Sequence, residues 1–279
     1  MTGGRALLGA TAWLALTAAG LPAQVATPLG ASLAEATVAH AAIWGAGANP
    51  AAGPPLGRSA PPTHRLAVQA YGLSLASPAT LTRAGVDLAW APAAAGGTGF
   101  QLGVQYFDPP GFGVTALRLG VRRRLGERVF GGLRVGGLIG DYEAYGREAS
   151  PVAEGGLLYE VTPTLRAGAH YSYVSRELLP LAQRRLRIGV DYASSRQVRL
   201  LVAASQAVGE PLNGQFGVLY RPAERVRLAL GYQTLGQRLS FGSEVAAGGG
   251  IRLGLAVVVF SRLPMGLAYG VSAGEAGGW

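Results

Sequence analysis

The feature that most constrains this chain is a hydrophobic pattern with a period of two residues, which begins near His64 and continues almost to the C-terminus. In 100–106, 186–192, 226–233 and 251–259, apolar side chains alternate with polar residues or glycine. Successive side chains of a β-strand point to opposite faces of the sheet. The pattern therefore predicts strands with one apolar face and one polar or glycine-rich face.

Fourteen such runs fit into residues 64–273. The predicted strands are 65–75, 80–91, 99–107, 112–123, 128–140, 152–161, 164–174, 185–193, 197–207, 214–221, 225–234, 239–247, 250–260 and 265–273. Segments of about ten alternating residues separated by turns are typical of transmembrane β-barrels. The fold class predicted is all-β: an antiparallel transmembrane barrel of about fourteen strands.

The connections between these runs also alternate in length. Most of the even-numbered connections, from the second to the twelfth, are tight turns. The fifth (141–150) and the seventh (175–184) are predicted to be long. The tight turns include 124–127, 162–163, 194–196 and 222–224. Outer-membrane barrels have short periplasmic turns and longer outer loops. A soluble β-sandwich, the alternative fold, gives no reason for connection length to follow connection order.

Composition excludes several other classes of protein. The chain has 44 glycines among 279 residues, and 49% of its residues are hydrophobic. Disordered chains lack such an apolar content, and glycine costs about 1 kcal/mol at each interior position of a helix. There is no cysteine, so disulfides and thiol chemistry are excluded. No metal or other cofactor is expected, because the three histidines have no metal-ligand spacing.

The apolar faces are expected to meet lipid, so the polar faces would line the lumen of the barrel. All 24 basic side chains are arginine, against 15 acidic ones. The predicted lumen-facing residues are Arg83, Asp87, Arg118, Arg134, Glu154, Arg166, His170, Arg187, Asp191, Arg227, Glu244 and Arg252. These arginines either attract anionic solutes or pair with the inward carboxylates and fill the barrel. Their dispersion over many strands argues against a nucleic-acid partner.

The first 63 residues lack the alternating pattern. Residues 1–23 read as a signal peptide, with Arg5 before an apolar stretch at 6–19 and a cleavage point expected after Ala23, with Ala19 and Ala26 as alternatives. That stretch is too short to cross a bilayer as a helix, which takes about 20 residues. Nearly every predicted strand presents a glycine inward, which suggests that a segment packs against the inner wall. Residues 24–63 are the candidate, as a hatch; an exported linker is the alternative.

The N-terminal region carries a family resemblance. Leu29–Ala36, Ala41–Ile43 and then Asn49-Pro50-Ala51 resemble the N-terminus of the FadL-like and PorV/PorQ-like outer-membrane β-barrels. The resemblance implies a fourteen-stranded barrel (64–279) with an N-terminal hatch (24–63) whose motif is Asn49, Pro50 and Ala51. Residues 52–55, Ala-Gly-Pro-Pro, depart from the usual continuation, so the substrate-binding elements of better-known members are not carried over.

The resemblance also implies a function and a location. We expect a non-enzymatic channel or transporter of the cell outer membrane, porin-like in architecture, for hydrophobic or amphipathic solutes. The alternatives are an accessory component of type IX-like protein secretion, which would handle secreted cargo, or a structural envelope protein. Trp279 at the C-terminus resembles the signal that the barrel assembly machinery recognises. The other expected partner is outer-membrane lipid.

Overall fold

The computed structural model describes residues 33, 36–40, 48–52, 65–75, 82–91, 97–108, 112–142, 146–175, 184–261 and 265–273. Within these residues the secondary structure consists of strands and turns. No helix in the described part of the chain is long and apolar enough to cross a membrane.

Fourteen strands are present in the described residues. They are β1 (Arg65–Leu75), β2 (Thr82–Ala91), β3 (Thr98–Asp108), β4 (Phe112–Arg124), β5 (Val129–Tyr142), β6 (Gly146–Glu160), β7 (Leu165–Val174), β8 (Arg185–Ala193), β9 (Val198–Ala207), β10 (Asn213–Ala223), β11 (Val226–Gln233), β12 (Arg238–Gly248), β13 (Ile251–Phe260) and β14 (Gly266–Ala273). The predicted fold class and strand number are confirmed.

Each strand pairs antiparallel with its neighbours in sequence, and β1 pairs with β14 to close the barrel. The closing register runs from Val68 opposite Ala273 to Leu75 opposite Gly266. Closure removes the unpaired edges that an open sheet would have. It is therefore one of the two ways in which a backbone can satisfy all its polar groups inside hydrocarbon.

The two rims of the barrel differ. Five of the six connections on one rim, here called the short-turn rim, span two to four residues. Connections on the opposite rim, the loop rim, span three to ten residues. By the rule for outer-membrane barrels, the short-turn rim is expected to face the periplasm.

The prediction of a long fifth connection was wrong. β5 continues to Tyr142 and β6 starts at Gly146, so only three residues join them. Asp141 lies opposite Arg147 in the extended hairpin, and Gly146 turns the chain with a positive φ of 78°. The first residues of β6 are exposed on both faces. A hairpin that protrudes into water has no apolar face, so its strands escape an alternation-based prediction.

The outward face of the barrel is apolar and exposed. Leu133, for example, is 65% exposed, and large apolar side chains occupy most of the alternate outward positions of β2 to β14. Five of the outward aromatic residues lie one position from the end of their strand. They are Trp90, Tyr159 and Tyr192 near the short-turn rim, and Tyr173 and Tyr232 near the loop rim. An apolar band between two aromatic girdles is the surface of a barrel that sits in a bilayer.

Position within this band sets the effect of a charged substitution. Val218 faces outward in the middle of β10, opposite Leu200 and Leu230. Val218→Arg is expected to lower the free energy of unfolding in lipid vesicles by about 2–4 kcal/mol, the cost of arginine near the bilayer midplane. Val208, which is 64% exposed just beyond β9, is the control. Equal losses for Val218→Arg and Val208→Arg in urea titrations would contradict the assigned membrane band.

Candidate functional site

Parts of the N-terminal region lie inside the barrel, seated against glycines of the inner wall. The contacting pairs are Pro50 with Gly132, Asn49 with Gly156, Val38 with Gly168 and Gly189, and Leu33 with Gly217. These glycines belong to β5, β6, β7, β8 and β10. A Cβ atom at Gly168 would lie 2.5 Å from the carbonyl oxygen of Val38, closer than real Cβ contacts. The missing side chains are what make room for the segment.

Asn49 is the most heavily bonded of these residues and is fully buried. Its Nδ2 donates to the carbonyl oxygens of Val38 (2.8 Å), Leu157 (3.1 Å) and Ala169 (3.2 Å). Its Oδ1 accepts from the backbone N–H of Ala51 at 2.9 Å. Leu157 and Ala169 are directly opposite each other on β6 and β7. One side chain thus joins two parts of the N-terminal region to each other and to the wall.

The turn that contains Asn49 is also held from β3. The N–H of Ala52 donates to the carbonyl oxygen of Asn49 at 2.9 Å, which closes the turn. Nε2 of Gln101 donates to the carbonyl oxygens of Pro50 (3.2 Å) and Ala52 (2.9 Å). The three residues predicted as a hatch motif therefore form one compact turn that contacts β3, β5, β6 and β7.

A second attachment joins His40 to β8. His40 Nδ1 lies 2.9 Å from Oδ2 of Asp191, and both residues are buried. Arg199 binds the same carboxylate with two hydrogen bonds of 3.0 Å. Burial lowers the pKa of His40 more than the nearby carboxylate raises it. His40 is therefore neutral at neutral pH and donates a hydrogen bond from Nδ1 to Asp191.

Glu154 is the centre of the largest buried charge cluster among the described residues. Arg134 binds Oε2 in a short ion pair, and Arg118 Nε lies 3.3 Å from Oε1. His170 Nε2 lies 3.1 Å from Oε2. The partners of Glu154 come from β4, β5 and β7, so the cluster ties one side of the lumen together. A buried carboxylate needs such partners, because an isolated buried charge is very costly.

The remaining predicted lumen-facing residues have varied positions. Glu244 accepts from Arg227 and Arg252, each at 3.2 Å. Arg166, near the short-turn rim, lies 3.4 Å from Glu160 and is partly exposed. Asp87 and Arg187 are buried on the inward face of β2 and β8. The side chain of Arg83 and all of Trp279 lie outside the described residues.

The loop-rim half of the inner wall has two chemically different arcs. One arc, on β8 to β12, is polar, and the other, on β3 to β6 with β13 and β14, is apolar. The polar arc consists of Arg185, Arg187, Ser205, Asn213, Gln215, Gln233, Arg238 and Ser240. The apolar arc consists mainly of Phe107, Val114, Ala116, Leu138, Val152, Val258, Phe260 and Ala268. Gln105 and Ser150 are buried polar residues among them.

The apolar arc was missed by the sequence analysis, which assigned apolar side chains to the lipid face. A signal was present, because near the loop rim both faces of several strands are apolar. Examples are Tyr106-Phe107, Leu138-Ile139 and the run Val257–Phe260. The two-sided lumen also depends on which strands are neighbours around the barrel, which the pattern within one strand does not contain.

Among the described residues, no three His, Asp or Glu side chains lie close enough together to hold a metal ion. The inward carboxylates are engaged in ion pairs with arginine and histidine instead, and Asn49 and Gln101 donate hydrogen bonds to backbone carbonyls.

The barrel is similar to solved hydrocarbon channels. The toluene transporter TbuX of Ralstonia pickettii matches with a TM-score of 0.66 and 11% identity, over 90% of this chain and 98% of that one. The monoaromatic hydrocarbon channel CymD matches with a TM-score of 0.67 and 11% identity, over 90% of this chain and 98% of that one. The toluene transporter TodX of Pseudomonas putida matches with a TM-score of 0.61 and 10% identity, over 89% of this chain and 97% of that one.

At these identities the similarity establishes a shared fold. The resemblance to FadL-like outer-membrane barrels is confirmed at that level. No family model matches the chain, and no curated protein matches its sequence.

The glycine seats give a direct test of how the N-terminal segment is held. Gly156→Ala places a methyl group against Asn49, so we expect a loss of about 1–3 kcal/mol in the free energy of unfolding, the usual cost of overpacking. Gly137→Ala, on the outward face of β5 with no atom near the new methyl group, is the control. Denaturant titration in detergent measures both. A Gly156→Ala barrel as stable as Gly137→Ala would mean that Asn49 is not seated there.

Proposed function

We propose that this protein is an outer-membrane channel for hydrophobic or amphipathic solutes, closed at rest by residues 24–63 acting as a hatch. The observation that carries the proposal is the Asn49-Pro50-Ala51 turn, which is buried in the lumen and bonded to the wall on several sides. A buried obstruction held only by noncovalent contacts can be displaced and can return.

Two groups of hydrogen bonds hold the hatch in the lumen, one at Asn49 and Gln101 and the other at His40. Asn49 and Gln101 hold the turn near β3 to β7, and the His40–Asp191 bond holds the preceding residues against β8. Each hydrogen bond contributes only about 0.5–1.5 kcal/mol net, because water replaces it when the segment leaves. A hatch with a few such bonds can open without unfolding the barrel, whose strands are held by a continuous ladder.

The two arcs of the loop-rim half support a solute that makes both apolar and polar contacts. A solute with one apolar and one polar side could contact Phe107, Leu138 and Phe260 on one arc, and Gln215 and Gln233 on the other. TbuX and TodX are toluene transporters and CymD is a monoaromatic hydrocarbon channel. We infer a small, largely apolar cargo of this size class, with tolerance for a polar substituent. No enzymatic step is required.

Removing the Asn49 amide tests the hatch. Asn49→Ala removes the hydrogen bonds from Nδ2 to the carbonyl oxygens of Val38, Leu157 and Ala169, each worth about 0.5–1.5 kcal/mol net. We expect the open population to rise about tenfold or more. Uptake of toluene into liposomes and single-channel conductance measure the change. Gly137→Ala is the control, and deletion of residues 27–60 sets the value for an open channel.

The same assays separate this function from the alternatives. Faster uptake of toluene and of benzoate by both Asn49→Ala and the deletion supports a gated channel for apolar and amphipathic solutes. Unchanged permeability in both variants would refute gating. If permeability is unchanged and a secreted protein co-purifies with the chain, the secretion-accessory role replaces the channel.

A further inference from the structure

We propose that the outer wall of the barrel carries a binding site for an anionic phospholipid in the leaflet next to the short-turn rim. The site is a groove of about 750 Å³ on the lipid-facing surface, between β4 and β8. Its walls are outward apolar side chains, chiefly Leu125, Leu133, Leu157, Tyr171 and Leu186. Volumes of about 300–1,000 Å³ are typical of ligand sites.

The groove exists because small residues interrupt the lipid face. Gly131 of β5, Gly155 of β6 and Ala169 of β7 point outward between much larger neighbours. Leu133 and Leu157 project beside them, 65% and 53% exposed. Lipid tails are as apolar as these side chains, so the selectivity of such a groove comes from its shape and from any charge at its rim.

The floor of the groove is backed from inside the barrel. Gly132 and Gly156, the next residues along β5 and β6, are the seats of Pro50 and Asn49. Two adjacent glycines in each strand leave the wall only one backbone thick at this point. The buried turn behind it supports the strands, so the groove is formed before any lipid arrives.

Arg123 supplies the charge at the rim of the groove. It is exposed on the outward face of β4, two residues before the turn at Leu125. Its cross-strand neighbours are Thr98 and Gly131, neither of which is acidic. By contrast Arg147, outward on β6 near the loop rim, lies opposite Asp141.

An anionic headgroup fits this arrangement. A guanidinium binds phosphate oxygens with two parallel hydrogen bonds. Arginine costs only about 0–1 kcal/mol on the lipid face near an interface, so Arg123 can stay charged where headgroups lie. A phospholipid with an acyl chain in the groove and its phosphate at Arg123 satisfies both the apolar walls and the cation.

Other occupants fit less well. A second copy of the chain would place one concave surface against another and leave a void between them. A purely apolar solute would give Arg123 no partner. Neither argument depends on the proposed channel activity, so the lipid site stands or fails separately from it.

Native mass spectrometry of the full-length protein in detergent tests the site, with phosphatidylglycerol and phosphatidylcholine of identical acyl chains as probes. We expect wild type to retain phosphatidylglycerol preferentially. Arg123→Gln should weaken phosphatidylglycerol binding about fivefold, the effect of one cationic side chain at an anionic surface, and leave phosphatidylcholine binding unchanged. Gly155→Leu fills the groove and should reduce the binding of both lipids.

Gly137→Leu is the matched control, because Gly137 also faces outward but lies outside the groove. It should bind both lipids as wild type does. Equal retention of the two lipids by wild type, or no effect of Arg123→Gln, would overturn the proposal. So would a Gly155→Leu protein that keeps its lipid but changes its oligomeric mass or its toluene uptake, since the groove would then serve a second copy or a solute.

Discussion

The hydrogen-bond ladder that closes between β1 and β14 is the constraint on which the rest of the structure depends. In hydrocarbon no water can satisfy an unpaired amide, so every strand must have two neighbours. Once the ladder is closed, side chains sort into two environments, lipid outside and lumen inside. Apolar residues can then be exposed outward at half or more of their surface without penalty.

Closure also creates an interior that must be filled. This chain fills it with paired charges and with part of its own N-terminal region. Glu154, Asp191 and Glu244 each bind at least two cationic or imidazole groups, so the arginines bound to them offset the cost of burying these carboxylates. Glycines at the seats bring backbone close to backbone, which lets Asn49 reach carbonyl groups of the wall.

Lumen and lipid face are linked through the same strands. Consecutive glycine pairs at 131–132 and 155–156 remove side chains from both faces of the wall. Inside, the gap holds the turn at Asn49; outside, it becomes the groove beside Arg123. The same two glycine pairs therefore shape both the lumen surface and the lipid-facing surface of the wall.

Much of the architecture could be predicted from residue order, because alternation is a local property of each strand. Strands such as β7 (Leu165–Val174) and β13 (Ile251–Phe260) lie within a residue of their predicted bounds. Prediction failed at 141–150, where the hairpin leaves the membrane and the lipid no longer selects apolar side chains. It also could not identify the ion pairs, since Arg134 meets Glu154 and His40 meets Asp191 only through the register of neighbouring strands.

By itself, then, the sequence determined the number of strands, their two faces and the excess of inward glycine and arginine. Only the tertiary structure decided where the inward residues meet: which glycines seat Asn49 and Pro50, and which strands form the apolar arc of the loop-rim half. The physical reason is that periodicity acts between residues two apart, whereas contacts across a closed barrel join residues more than a hundred positions apart.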